Sequence, residues 1–259
     1  MTMNSEQLQS GLKRLFLHTM AKDYTAVAKE HEQTRKSFEH YLASLVDLEL
    51  AAKDRLRTER LTKEAKIPLV KLSGDFDYSV RSGITAKEVA RLQAGEFVRS
   101  AGNVVFYGNF GLGKSHLAMA ITRSLCEKNF RCLYQSTASF IEDLCTAQKN
   151  LNLSTHLKRL DRFDLITLDE LGYTPHSQEG AELFFQLISQ RYERKSLMIT
   201  TNLVYSEWDK VFLSKIATAA AVDRIIHNCE TFNIQGPSWR AEQAKKNLEK
   251  KNLLSNSQN

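Results

Sequence analysis

The sequence predicts an α/β fold, with a parallel five-stranded sheet covered by helices on both faces and preceded by a small all-helical N-terminal domain. Short runs rich in Val, Ile and Phe alternate with helical segments from about residue 100 onward. That spacing is characteristic of parallel strands joined by crossover helices. The first 72 residues contain no such run, and neither glycine nor proline interrupts Leu12–Ile67, so this part reads as helical. The first apolar run passes through a glycine-rich turn directly into a helical pattern.

The chain has 259 residues, 42% hydrophobic and 25% charged, with 11 glycines and 3 prolines. Collagen, a coiled-coil rod and wholesale disorder are excluded by that composition. A chain this long buries roughly three-quarters of its unfolded surface and needs no covalent staple. No apolar stretch approaches the ~18 residues of a membrane span. The N-terminus is interrupted by charges and lacks the apolar core of a signal peptide, so the expected location is the cytoplasm. Cys126, Cys132, Cys145 and Cys229 show no C-x-x-C spacing and are expected to stay reduced. The 36 basic and 30 acidic residues leave a formal charge of +6, a weak pointer to a polyanionic partner.

In chain order, Leu12, Leu15, Phe16 and Met20 form one apolar stripe at helical spacing. Phe38, Tyr41, Leu42, Leu45, Val46 and Leu48 form a second. From Lys53 to Lys71 the chain carries seven basic residues (Lys53, Arg55, Arg57, Arg60, Lys63, Lys66, Lys71) against three acidic ones. This is either a solvated helix face or a phosphate-contacting surface. Residues 73–83 hold turn residues and read as a linker. Thr85-x-x-Glu88 is a capping box opening a helix to about Glu96. The strand runs are Asn103–Tyr107, Arg131–Gln135, Asp164–Leu168, Leu197–Thr201 and Thr231–Gln235. Phe140–Lys149 and Leu153–Leu160 look like two helices where a minimal unit has one. The polar tail from Arg240 holds five basic and two acidic residues.

The first run leads into Gly108-Asn109-Phe110-Gly111-Leu112-Gly113-Lys114-Ser115, which satisfies G-x-x-x-x-G-K-[ST], a phosphate-binding loop. Glycines let the backbone wrap a phosphate with its N–H groups inward. The following helix adds the positive end of its dipole. Lys114 supplies a point charge to β- and γ-phosphates, and the Ser115 hydroxyl suits Mg²⁺. The candidate ATP-binding set is Gly108 to Ser115 together with His116.

Such a site needs a further acid for the metal. The run ending Leu168-Asp169-Glu170 supplies two at the C-terminal end of a buried strand, the edge where ligands bind in open α/β sheets. Asp169 is expected to orient the water ligands of Mg²⁺ and Glu170 to activate the attacking water. A third run ends at Asn202, which either contacts the γ-phosphate and the water or serves as a turn residue.

The chain resembles the IstB-like ATPases, helper proteins of IstA/IstB-type insertion sequences, which belong to the AAA+ class and are related to the helicase loader DnaC. The resemblance spans nearly the whole chain. It rests on GNFGLGKSHLA, DLITLDELGY, EGAELFFQLISQRYERKS, ITTNLVYSEW, AAAVDRIIHNCETFNIQGPSWR, LKRLFLHTMA and the basic segment before DFDYS. It implies an AAA+ P-loop NTPase domain over residues 73–240, a DNA- or partner-binding helical domain over 1–72 and a basic tail over 241–259. It also implies that the acidic strand and the Asn202 strand flank the phosphate-loop strand. The implied function is an ATP- and Mg²⁺-dependent ATPase that oligomerises on duplex DNA and assists an IstA-like transposase. By motif match, Arg224 of Val222-Asp223-Arg224 reaches a neighbouring subunit's γ-phosphate, the other reading being a surface arginine paired with Asp223. Arg240 of Ser238-Trp239-Arg240 matches a nucleotide sensor. The extra helix between the second and third strands makes Lys149, Lys158, Arg159 and Arg162 candidates for DNA contact, beside Lys53, Arg55, Arg57, Arg60, Lys63 and Lys66. The alternative within the same class is a DnaC-like replicative helicase loader, which would use residues 1–72 to bind a helicase and would prefer single strands.

Overall fold

A computed structural model describes residues 4–173 and 177–239. These residues pack as two compact units, one ending at Arg60 and the other starting at Leu61.

The first unit is helical. Helix α1, Ser5–Arg14, opens with a capping box in which Asn4 accepts from the Gln7 amide and Gln7 answers to Asn4. The expected stripe through Leu12, Leu15, Phe16 and Met20 is not one helix face. Phe16 takes a left-handed φ of +59°, the helix stops, and α2 (His18–Gln33) starts anew. Leu15 and Phe16 are left 68% and 72% exposed. The new helix start leaves orphan amides, and Glu49 of α3 (Phe38–Glu64) accepts from Thr19 and Met20 N–H at 2.7 and 2.9 Å. Burial raises the Glu49 pKa, but the two amides and Lys53 outweigh it and hold the carboxyl below its usual range. The small core is Met20, Val27 and Leu45, with Leu12, Leu17, Tyr24 and Tyr41 against it. Phe38 and Leu42 of the second expected stripe are exposed.

The second unit holds the sheet. Leu61 and Ala65 are buried in its core, and the Ala65 carbonyl accepts from the Tyr134 amide at 2.8 Å. Leu61 and Ala65 therefore pack with the sheet, from within the 1–72 stretch that the sequence reads as helical. Helices α4 (Ala86–Ala94) and α5 (Glu96–Arg99) follow, and the expected Thr85–Glu88 capping box is present. Then come β1 (Asn103–Tyr107), α6 (Lys114–Glu127), β2 (Cys132–Ser136), α7 (Thr137–Lys149) and α8 (Leu153–Leu160). They are followed by β3 (Leu165–Leu171), α9 (Gln178–Arg191), β4 (Ser196–Thr201), α10 (Asp209–Phe212), α11 (Lys215–Ile226) and β5 (Cys229–Asn233). The five strands are all parallel, in the order β2-β3-β4-β1-β5.

Both faces are buried, with the period of two that a strand imposes. Val104, Phe106, Cys132, Tyr134, Leu165 and Met198 pack with α4, α5 and α6. Val105, Leu133, Ile166, Leu168, Leu197 and Ile199 pack with the helices from α7 to α11. The strand order corrects one expectation. The phosphate-loop strand β1 pairs with β4 and β5, and the acidic strand β3 pairs with β2 and β4. The strand leading to Asn202 therefore lies between the other two, and the acids do not flank β1.

Arg191, at the end of α9, is 1% exposed. Its guanidinium donates to the carbonyls of Leu160, Phe163, Asp164 and Ser196 at 3.0–3.3 Å. Burial, against the attraction of Asp161 and Asp164, lowers its pKa to about 10, so it stays charged at neutral pH. Arg191→Met strands these carbonyls in the interior. The expected loss is about 3 kcal/mol or more in urea denaturation, and a loss below about 0.5 kcal/mol would refute the stapling role.

Candidate nucleotide-binding site

The loop after β1 takes a path open to few residue types. Gly108 has φ +141° and Gly113 φ +89°. A Cβ on Gly108 would sit 2.2 Å from the Ile234 carbonyl oxygen, and one on Gly113 would sit 2.7 Å from the Phe76 ring. Helix α6 starts at Lys114, and no side chain among the described residues caps it. Its first amides and positive dipole end are thus available to an anion. Lys114 is 6% exposed, and its Nζ lies 2.8 Å from the carbonyl oxygens of both Gly108 and Asn109. Asn109 and Phe110 are exposed, Leu112 is buried and Ser115 is half-buried. Phe110 meets Tyr173 edge-on at 5.1 Å.

A cavity of about 470 Å³ opens over the loop, lined by Gly111 through His116 with Glu170, Thr200 and Trp239 among others. That volume fits a nucleotide-sized ligand. Leu69, Phe76 and Met119 give it an apolar wall, and buried Arg81 and half-buried Lys71 add cations. The His116 ring is anchored at 2.7 Å to the Leu72 carbonyl. The Trp239 amide donates to the Gly111 carbonyl at 3.0 Å. Arg81, Phe76 and Trp239 were not among the expected site residues, because they lie far from the phosphate loop in sequence and reach it only through folding.

Asp169 and Glu170 sit near the end of β3, where the β3–β4 register shifts between Leu168 and Leu171. Asp169 is half-buried. Its Oδ2 accepts from the Tyr134 hydroxyl at 2.6 Å, and its Oδ1 accepts from the Thr200 hydroxyl. Burial first, and then the Asp169 charge, push the Tyr134 pKa far up, so Tyr134 remains a donor. Glu170 is exposed, with φ +62°. Its amide donates to Thr200 Oγ1 at 2.9 Å.

The remaining expected residues are less concentrated. Asn202 follows β4, half-buried and outside the cavity lining, with an Oδ1 that has no hydrogen-bond partner among the described residues. Arg224 lies on α11, half-buried, with its guanidinium 4.8 Å over the Phe185 ring rather than paired with Asp223. Arg240 lies outside the described residues.

A second cavity, of about 350 Å³, brings together cations distant in sequence: Lys63, Lys66, Arg131, Arg159 and Arg162, with His156. Arg131 pairs with Glu64 at 2.9 Å. Burial and the nearby Arg159 and Lys66, against Asp143, lower the His156 pKa, which keeps the imidazole neutral at pH 7. Lys149 and Lys158 are exposed outside this lining. Lys53, Arg55, Arg57 and Arg60 are exposed on the part of α3 in the first unit, where Lys53 pairs with Glu49 and Arg55 with Glu59.

The profile of the IstB-like ATP-binding proteins matches residues 10–247. The chain belongs to that family. It is 33% identical to an insertion-sequence ATP-binding protein of Sinorhizobium fredii (strain NBRC 101917 / NGR234), over 94% of this chain and 82% of the relative. It is 29% identical to the IS21 insertion-sequence ATP-binding protein of Pseudomonas aeruginosa, over 93% of this chain and 91% of the relative. Among solved structures it is similar to DnaI, with a TM-score of 0.54 and 19% identity over 69% of this chain and 98% of that one. It is also similar to the replication initiator DnaA bound to AMPPCP and single-stranded DNA, with a TM-score of 0.54 and 19% identity over 71% of this chain and 56% of that one. The fold is therefore that of an AAA+ P-loop NTPase, and the family is one of ATP-binding proteins. Among the described residues no helix is long and apolar enough to cross a membrane.

Proposed function

We propose that this protein is a Mg²⁺-dependent ATPase that assembles on duplex DNA in the cytoplasm and assists the transposase of its insertion sequence. The observation that carries this reading is the convergence of Lys114, Ser115 and Glu170 on one cavity, with Asp169 beside Glu170 on β3. In the reaction a water oxygen bonds to the γ-phosphorus and the bond to the β,γ-bridging oxygen breaks. Glu170 takes the water's proton, and ADP and phosphate leave.

The donor set fits magnesium. The Ser115 hydroxyl is a hard oxygen ligand, and the Asp169 carboxylate is a hard acceptor for the ion's waters. No three His, Cys, Asp or Glu side chains form a cage among the described residues, as suits an ion held largely by waters and substrate phosphates. When bound, the ion neutralises charge developing on the phosphoryl oxygens. Lys114 and the α6 amides hold the β- and γ-phosphates.

The basic groove supports the DNA part of the reading. Lys63 and Lys66 come from the basic stretch before the linker, and Arg159 and Arg162 from the α8 region, yet all line one cavity. Such a surface contacts phosphates without reading bases. Arg224 is the residue we assign to the neighbouring subunit's γ-phosphate, so that turnover depends on assembly.

Light scattering with a non-hydrolysable ATP analogue tests the whole reading. A large assembly is expected only with nucleotide and duplex DNA. A species that ignores duplex DNA or prefers single strands would overturn the reading in favour of a helicase loader. Arg159→Glu with Arg162→Glu is expected to weaken duplex binding about tenfold or more and to flatten its salt dependence by roughly one unit of slope per lost phosphate contact. Unchanged affinity and slope would remove the groove from the DNA interface.

A further inference from the structure

Thr200 and Tyr134 were not among the expected site residues, yet between them they hold the Asp169 carboxylate and the Glu170 backbone. Asp169 lies on β3, Tyr134 on β2 and Thr200 on β4, and β3 pairs with both neighbours. Each carboxylate oxygen accepts a hydroxyl donor from a different side, Oδ2 from Tyr134 at 2.6 Å and Oδ1 from Thr200. Because the Thr200 proton goes to Asp169, its oxygen is left to accept, and it takes the Glu170 amide at 2.9 Å. This occurs where the β3–β4 register shifts between Leu168 and Leu171, so a side-chain hydroxyl stands in for a ladder partner. Glu170 there has φ +62°, a conformation that costs a non-glycine residue energy and persists only where surroundings impose it. Thr200 and Glu170 both line the cavity over Lys114.

We propose that Thr200 and Tyr134 are positioning residues for ATP hydrolysis, an inference that rests on the reading of this cavity as an Mg²⁺-ATP site. The two hydroxyls fix the Asp169 carboxylate so that it meets the metal through water rather than by direct ligation. An ionised carboxylate has about four acceptor sites, so one on each oxygen remains open to a metal-bound water. Magnesium keeps several of its waters, and direct ligation would compete with two hydrogen bonds already made. Thr200 has a second task, because its hydroxyl also sets the backbone from which the Glu170 carboxylate extends. One oxygen atom thereby ties the metal-orienting acid to the base.

The test is Thr200→Val, nearly isosteric but without the hydroxyl, beside Thr200→Ser and Tyr134→Phe. Thr200→Val is expected to lower kcat about 10- to 100-fold, the usual effect of losing an outer-shell partner, with metal-free ATP affinity unchanged. Thr200→Ser should restore most of the loss. Binding of Mn²⁺ in the presence of AMPPCP, followed by electron paramagnetic resonance, should weaken in Thr200→Val and Tyr134→Phe. The manganese should carry the same number of bound waters in the wild type and in Asp169→Asn. Wild-type kcat and Mn²⁺ affinity in Thr200→Val, or a loss that serine does not restore, would overturn the positioning role. One more bound water in Asp169→Asn would overturn the water-mediated contact. If Thr200→Val melts early, the Thr200→Ser and Tyr134→Phe measurements carry the decision. A wild-type protein that binds no nucleotide with metal would refute the ATPase reading itself, a distinct result.

Discussion

Glu170→Gln retains ATP binding and loses about two to four orders of magnitude in turnover, the range of general-base catalysis. Phosphate release measures the loss, and calorimetry with a non-hydrolysable analogue measures the binding. The substitution is clean because the backbone of Glu170 is held independently of its side chain, by its amide on Thr200 Oγ1. Glutamine keeps the size and the left-handed backbone but cannot take a proton from water. The carboxylate is exposed on the cavity wall and makes no ion pair among the described residues, so stability should change little. Turnover within threefold of wild type would remove Glu170 as the base.

Lys114→Ala weakens ATP binding about a hundredfold or more. Hydrogen bonds to a charged group contribute about 1.5–3 kcal/mol each, and the loop lysine reaches both the β- and the γ-phosphate. Two such bonds amount to about 3 kcal/mol or more, a factor of at least a hundred. The ammonium is already oriented under the loop by the Gly108 and Asn109 carbonyls, so little ordering remains to oppose binding. Lys114→Arg is not expected to rescue, since a planar guanidinium does not replace a compact ammonium in a buried slot. Calorimetric titration with ATP decides the matter, and wild-type affinity in either variant would show that phosphates bind elsewhere.

Much of this protein is legible in local pattern. The five strands lie where the apolar runs lie, although β3 continues to Leu171 and β5 starts at Cys229. The phosphate loop with Lys114 and Ser115, the acids at the end of β3 and the Thr85 capping box depend on neighbours a few residues apart. What was misread depended on distant partners. Leu15 and Phe16 fit a helical period, but α1 ends before them, and α2 is capped by Glu49 some thirty residues later. The sequence also offered Asp223 as a partner for Arg224, and the ring of Phe185 on another helix took that place.

The elements, the phosphate loop and the two acids follow from local order, because spacing along one strand or helix turn specifies each of them. Long-range packing placed β4 between β1 and β3. It also decided that Tyr134 and Thr200 grip Asp169 from opposite sides, and that Lys63 and Lys66 share a groove with Arg131, Arg159 and Arg162. Strand order and cross-strand contacts come from pairing over long chain separations, where burying both faces of the sheet selects one register among several. No local pattern of residues encodes that selection.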